Sequence, residues 1–232
     1  MKTSNKLLFS FLGFAWLSMV GCMLASVHLL ESKPFVKDAV VSSTPVDDDY
    51  SVVSIQDFGK LALVMSKDTR IERRKISFEG NDEHVSEDVD PYFVEVRDDT
   101  LFISNAEIKQ YETWTLHVDR QIKSLILNNV TEVNALNAFE YDSLKILASN
   151  SSFRLPRDHG LAFLAFKGEA GAHLSVDGIA NLEIHLNQSK ADVTQFLGKV
   201  SGELIDAQVS LPKETTEVAL KKNTNSKFYF WN

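Results

Sequence analysis

Cysteine is all but absent from this chain. Cys22 is the only one in 232 residues, which excludes an internal disulfide framework and any thiol chemistry beyond residue 22. Six histidines (His28, His84, His117, His159, His173 and His185) fall at no metal-ligand spacing, so a structural zinc site is not expected. Positive charge is scarce too. The net charge is −8 and no basic run exceeds Arg73-Arg74-Lys75, which argues against nucleic acid as a partner, because phosphate binding needs a positive surface. Neither H-E-x-x-H, G-x-S-x-G, G-x-x-x-x-G-K-[ST] nor G-x-G-x-x-G occurs, and Gly198-Lys199 lacks the earlier glycine of a phosphate loop. The acidic stretch from Asp82 through Glu83, Glu87, Asp88 and Asp90 does not follow the D-x-[DN]-x-[DN]-G calcium pattern and reads as a solvated loop. No cofactor or metal is expected.

Long apolar runs are confined to one place. Leu7 to Leu30 carries no Asp, Glu, Lys or Arg. As a helix those residues would reach about 36 Å, enough to cross a hydrocarbon core of about 30 Å. Lys2 and Lys6 precede the run, whereas Glu31, Lys33, Lys37 and Asp38 roughly cancel after it. The positive-inside rule then puts residues 1–6 in the cytoplasm, a signal-anchor at 7–30 in the membrane, and the body outside, in the periplasm. Met19-Val20-Gly21-Cys22 also resembles a lipobox, making Cys22 a candidate for lipidation and the chain, alternatively, a lipoprotein; against this, the chain stays apolar after Cys22. Residues 31–49, with Pro34, Pro45 and Asp47-Asp48-Asp49, read as a linker.

From Tyr50 the pattern is β. Short period-2 runs at Ser51–Ile55, Leu61–Met65, Pro91–Val96, Leu101–Ser104 and Tyr111–Val118 are bounded by turn signals such as Asp98-Asp99. Further on, two apolar series recur. One runs Leu125/Leu127, Leu144/Ile146, Leu164/Phe166, Leu182/Ile184, Leu204, Val218/Leu220. The other runs Val133, Phe153, Leu174, Val193, Val209, Phe228. Each covers 95 residues in five steps, so both have a mean period of 19. A repeat of about 19–20 residues holding two short strands is a solenoid signature: one coil cannot bury its own inward side chains, but stacked coils share a continuous core. An all-β, parallel β-helix-like solenoid over residues 50–232 is therefore expected, with a β-sandwich as the alternative. Asn129, Asn150, Gly168, Gly171, Gly178, Asn187 and Gly198 are the expected corners. The aromatic end, Lys227-Phe228-Tyr229-Phe230-Trp231, reads as a last strand whose rings cover the open end of the stack.

Three segments carry a family resemblance: YSVVSIQDFGKLALVMSKD from Tyr50, PYFVEVRDDTLFIS from Pro91, and the coils that begin at SLILNN. Together they make Tyr50–Asn232 resemble the auto-transporter adhesin head GIN domain, a bacterial envelope family of unknown function. The corners depart from it, with Asn-Asn, Ser-Asn and Asn-Gln where Ser-Gly-rich turns are usual in the family. The resemblance implies a right-handed β-helix-like fold in the bacterial envelope and no catalytic residues.

Two functions follow. The first is a non-catalytic, membrane-anchored, adhesin-like module contacting an envelope protein or glycan along an exposed face. The second is a divergent carbohydrate-active enzyme, for which Glu183, His185, Asp192, Glu203 and Asp206 lie on adjacent coils and could share one outer face. The N-x-[ST] triplets at Asn129, Asn150 and Asn187 read as corner residues.

Overall fold

The computed structural model describes residues 2–31, 36–46, 49–78, 92–105, 112–118 and 121–231. Two compact units are present, Met1–Ala39 with Ile76–His84, and Val40–Lys75 with Val85–Asn232. The acidic stretch at 82–90 lies outside the described residues.

The first unit carries helix α1 (Lys2–Glu31). Its side chains are described from Phe11 to Ser26, and Cys22 among them is exposed. Among the described residues no helix is long and apolar enough to cross a membrane.

Among the described residues seventeen strands follow. The first six are β1 (Val36–Pro45), β2 (Val52–Met65), β3 (Arg70–Phe78), β4 (Tyr92–Arg97), β5 (Thr100–Asn105) and β6 (Glu112–Val118). Next come β7 (Ser124–Ala135), β8 (Ser143–Ser149), β9 (Ser152–Leu155), β10 (Phe163–Glu169), β11 (His173–Val176) and β12 (Ile179–Asn187). The last are β13 (Lys190–Val193), β14 (Leu197–Ile205), β15 (Gln208–Pro212), β16 (Glu217–Lys222) and β17 (Lys227–Trp231). The expected linker thus contains a strand: Val40, Val41 and Thr44 are β-branched and favour extended backbone over coil.

The second unit is a β-solenoid. Every ladder among β7 to β17 is parallel, which excludes the sandwich. On the first face β7, β8, β10, β12, β14 and β16 pair in turn. On the second, β7, β9, β11, β13, β15 and β17 do the same. Inward residues stack in columns, for instance Leu125, Ile146, Phe166 and Ile184, all at most 1% exposed. Burying each such side chain is worth roughly 1.5–3 kcal/mol, so the columns are the main source of stability.

Two positions in the expected series are corrected by the register. Opposite Leu174 and Val209 stands Ala191, whereas Val193 pairs with Val176. Opposite Ile184 and Leu220 stands Gly202, whereas Leu204 pairs with Leu186. Small residues occupy the true ladder positions, and hydrophobicity alone selected their larger neighbours. Gly168 and Gly198 are likewise strand residues of β10 and β14, not corners.

The start of the stack does not follow chain order. β2 is a single strand bent at Asp57, which has φ +50°, and β7 stacks on it along its whole length. On the other side of β2 lie β5 and β6, which come later in the sequence: Val53 sits between Leu101 and Leu125, and Leu61 between Trp114 and Val133. β4 and β3 then add to the two faces as antiparallel strands on β5 and β6, and β1 pairs in turn with β3. Asp98 and Asp99 both have positive φ, the two-residue hairpin geometry that matches strand twist. Arg73 crosses from β3 to Glu112 of β6 at 2.7 Å and lies over the Trp114 ring at 5.4 Å, a shielded ion pair between the two strands.

A loop joins the second face of each coil to the next first face. His159 anchors one such loop. It is 3% exposed, accepts from the Leu161 N–H through Nδ1 at 2.9 Å, and donates through Nε2 to the Gly178 carbonyl at 2.6 Å. Those two bonds fix the neutral Nε2-H tautomer. His159→Ala leaves a buried donor and a buried acceptor without partners and is expected to cost roughly 2–4 kcal/mol in a denaturant titration. A cost below about 0.5 kcal/mol would mean the loop is held by other contacts.

The last coil is less covered than expected. Phe228 packs against the core, but Tyr229, Phe230 and Trp231 remain 47%, 46% and 38% exposed. Phe230 stands edge-on to Phe228, and the Trp231 indole N–H donates to the Val193 carbonyl at 3.0 Å. Phe228 and Phe230 thus continue the inward columns of Val209 and Leu211 on the second face, and Trp231 reaches back to β13.

Candidate functional site

Five coils turn from the first face to the second through one residue that accepts left-handed backbone. Asp57, Asn129, Asn150, Gln188 and Asp206 all have φ between +46° and +56°, and Ala170-Gly171 serves the coil between Asn150 and Gln188. Asn and Asp tolerate this region best among side-chain-bearing residues. The corner expected at Asn187 is therefore one residue later, at Gln188. Side chains at the corner bond to those on the next coil. Asn129 donates to Asp57 at 2.8 Å, Asn150 to Asn129 at 2.9 Å, and Asn225 to Asp206 at 3.0 Å.

After each corner the chain buries one residue, small in the later coils: Ser151, Ala172, Ser189, Ala207 and Ser226. The serines satisfy backbone that the corner would strand. Ser151 Oγ donates to the Ser149 carbonyl at 2.7 Å and accepts from the Val130 N–H of the neighbouring coil at 2.9 Å. Ser226 Oγ accepts from the Ala207 N–H at 3.1 Å in the same way.

Because this column is small, a groove opens over it. Its volume is about 330 Å³. One wall is Gln188, Asp206 and Asn225; the other is Lys190, Gln208 and Lys227. The first wall is held in place. Asn223 donates to Asp206 Oδ1 at 2.8 Å, while Asn223 Oδ1 accepts from the Asp206 and Ser226 N–H groups at 3.1 and 3.0 Å. The Asn223 and Asn225 amides beside Asp206 hold its carboxyl below the usual carboxylate range. The groove therefore offers one anion, two lysines and several amides, suited to a ligand rich in hydroxyl groups.

The four candidate residues and Glu203 do not share a face. Glu183 and His185 point outward from β12 on the first face and pair with each other at 3.1 Å. His185 lies in register between Lys167 and Glu203. Asp206 is at the corner. Asp192 is on the second face, in register between Ser175 and Ser210. Strand spacing could not distribute them, because the corner between β14 and β15 turns the outward direction.

Asp192 has a partner that sequence reading passed over. His173 Nε2 lies 2.8 Å from Asp192 Oδ2, and the Ser210 hydroxyl also bonds the carboxylate. The 19-residue offset of His173 from Asp192 equals the coil period, a signal that could have revealed the pair. The order is wrong for nucleophilic catalysis: the serine bonds the carboxylate, where a triad needs it on the imidazole. His173 holds the Asp192 carboxyl below its usual range, outweighing the opposite effect of partial burial. A glycosidase general acid needs the reverse shift. The Asp192 and Asp206 carboxylates are thus both placed to stay ionised.

A pH dependence follows. Folding lowers the Asp192 pKa, so its stabilising contribution is complete above the unfolded value and is lost as pH falls through the folded one. Asp192→Asn is expected to lower Tm at pH 7, where the contribution is complete, and to converge on wild type below about pH 4. Parallel Tm curves for variant and wild type would show that the His173 contact adds nothing in solution.

No protein-family model matches the chain, and no curated protein matches it. Solved structures do. The fold is shared with candidate adhesins of two bacteria. One, from Bacteroides fragilis, has a TM-score of 0.50 at 11% identity over 84% of this chain and 98% of its own. Another, from Parabacteroides distasonis, has a TM-score of 0.52 at 12% identity over 83% of this chain and 96% of its own. At such identity the likeness establishes the fold.

Proposed function

We propose that the chain is a non-catalytic, adhesin-like binding module of the bacterial envelope, anchored by α1 with its solenoid on the outer side of the membrane. The GIN-domain resemblance and the adhesin-like fold point the same way. The observation that carries the binding role is the corner groove, in which Asp206 and Asn225 are held by their own hydrogen bonds and so lose little entropy when a ligand docks. The ligand class that suits it is an extended acidic glycan: hydroxyls meet Gln188, Gln208 and Asn225, and carboxylates meet Lys190 and Lys227. Oligogalacturonate is a suitable probe, with neutral dextran as the control. In detergent-solubilised full chain, Lys190→Glu with Lys227→Glu is expected to weaken oligogalacturonate binding at least tenfold and to leave folding unchanged. Equal binding by wild type and the double variant would remove the groove as the site.

Anchoring is supported by the side chains of α1. Phe11, Phe14, Trp16, Leu17, Met19, Met23 and Leu24 are each 67–72% exposed. At 100° per residue they surround the helix, which suits an apolar anchor even though the described part of α1 is not by itself long and apolar enough to cross a membrane. Cys22→Ser is expected to leave the protein in the membrane fraction after carbonate extraction. Release into the soluble fraction would instead identify Cys22 as the anchoring residue and favour the lipoprotein alternative.

A further inference from the structure

The open end of the first face is β16, Glu217-Val218-Ala219-Leu220-Lys221-Lys222. It pairs with β14 along one edge, and no ladder is seen along its other edge among the described residues. Val218 and Leu220 continue the inward columns of Val200 and Gly202, so apolar side chains line the uncovered edge. Val218 is 38% exposed there. Glu217, Ala219 and Lys221 point outward. Lys222 takes the next inward position and places its ammonium over the Phe228 ring at 5.3 Å, which blocks the β17 side and leaves the strip at Val218 and Leu220 open.

This strand is self-complementary when read backwards. If two copies run antiparallel about a two-fold axis at Ala219, every same-face pair matches. Glu217 faces Lys221 of a second copy, Val218 faces Leu220, and Ala219 faces Ala219. Opposite charges and apolar pairs directly across an antiparallel ladder are the stabilising combination. Glu217 already meets Lys199 of β14, on the neighbouring coil, at 2.9 Å. The second copy's Lys221 would approach from the other side and place the carboxylate between two ammonium groups. Any other antiparallel register sets Val218 or Leu220 against a polar residue or an end of the strand.

We propose that the chain forms a two-fold dimer through β16, joining two solenoids end to end by an antiparallel ladder centred on Ala219. The interface is isologous and closes on itself, so it yields dimers and not fibres. Pairing also covers an edge strand that would otherwise recruit unrelated chains.

The test uses the full chain in detergent with Cys22→Ser, so that an added cysteine is the only thiol. Ala219→Cys is expected to form a dimer with a short thiol-specific cross-linker, and Ser175→Cys on the second face is not. Adding Lys221→Glu to the Ala219→Cys chain sets acid against acid and is expected to reduce the cross-linked fraction at least tenfold. Adding Glu217→Lys as well exchanges both charges and restores it. Circular dichroism confirms the fold of each variant. Cross-linking at 219 no greater than at 175 would overturn the proposal, as would cross-linking at 219 that is insensitive to Lys221→Glu.

Discussion

Gly202→Ala is expected to destabilise the solenoid more than any other single added methyl group, by at least about 4 kcal/mol, or to prevent folding outright. Gly202 sits in β14 with φ +134°, a region that L side chains do not adopt without strain. Space is as limiting as conformation. A Cβ built on this backbone lies 1.7 Å from the Ile184 carbonyl oxygen and 2.7 Å from its carbon. Those atoms belong to β12, the neighbouring strand, and no side-chain rotation can relieve the contact. The ladder between β12 and β14 has to open, and with it the columns that carry the core. Ser201→Ala, one residue earlier on the outward side, is the control and should change stability by less than about 0.5 kcal/mol. Both are read from denaturant midpoints. Equal midpoints for the two variants would show that β14 rearranges freely around residue 202.

Gly202 also marks where sequence reading reaches its limit. The period of 19, the two strands per coil and the shared core could be read because Leu, Ile, Val and Phe recur on both faces. Ladder positions held by Gly202 and Ala191 could not, since a small residue in a buried column carries no hydrophobic signal. The corners were half legible. Asn129 and Asn150 announce left-handed backbone by their type, whereas Gln188 does not, and Gly168 looks like a turn although it lies within a strand. The insertion of β5 and β6 beneath β2 leaves no trace in periodicity, because pairing across some fifty residues is a tertiary choice. The groove was missed for the same reason. It exists because Ser189 and Ala207 are small at one depth and Lys190, Gln208 and Asp206 rise beside them, a juxtaposition made by register between coils.

Phe166 and Gly168 should behave as one unit. Phe166 is 1% exposed, stacked between Ile146 and Ile184. Phe166→Ala is expected to cost about 3–5 kcal/mol, through lost transfer energy and the cavity left in a column that strands on both sides hold open. Gly168 lies two residues on, at the next inward position of the same strand. A Cβ there would come within 2.7 Å of Phe166 Cε1 and 3.1 Å of Leu186 Cδ2. The glycine is therefore the space that the ring occupies. Gly168→Ala alone should destabilise by roughly 1–3 kcal/mol through overpacking. In a Phe166→Leu background the shorter side chain vacates that space, and the same substitution should become nearly neutral. The coupling in this double-mutant cycle is expected to reach at least about 1 kcal/mol. Strict additivity would mean that Leu186, and not Phe166, limits the site, and that the Cβ cannot be accommodated whichever residue fills position 166.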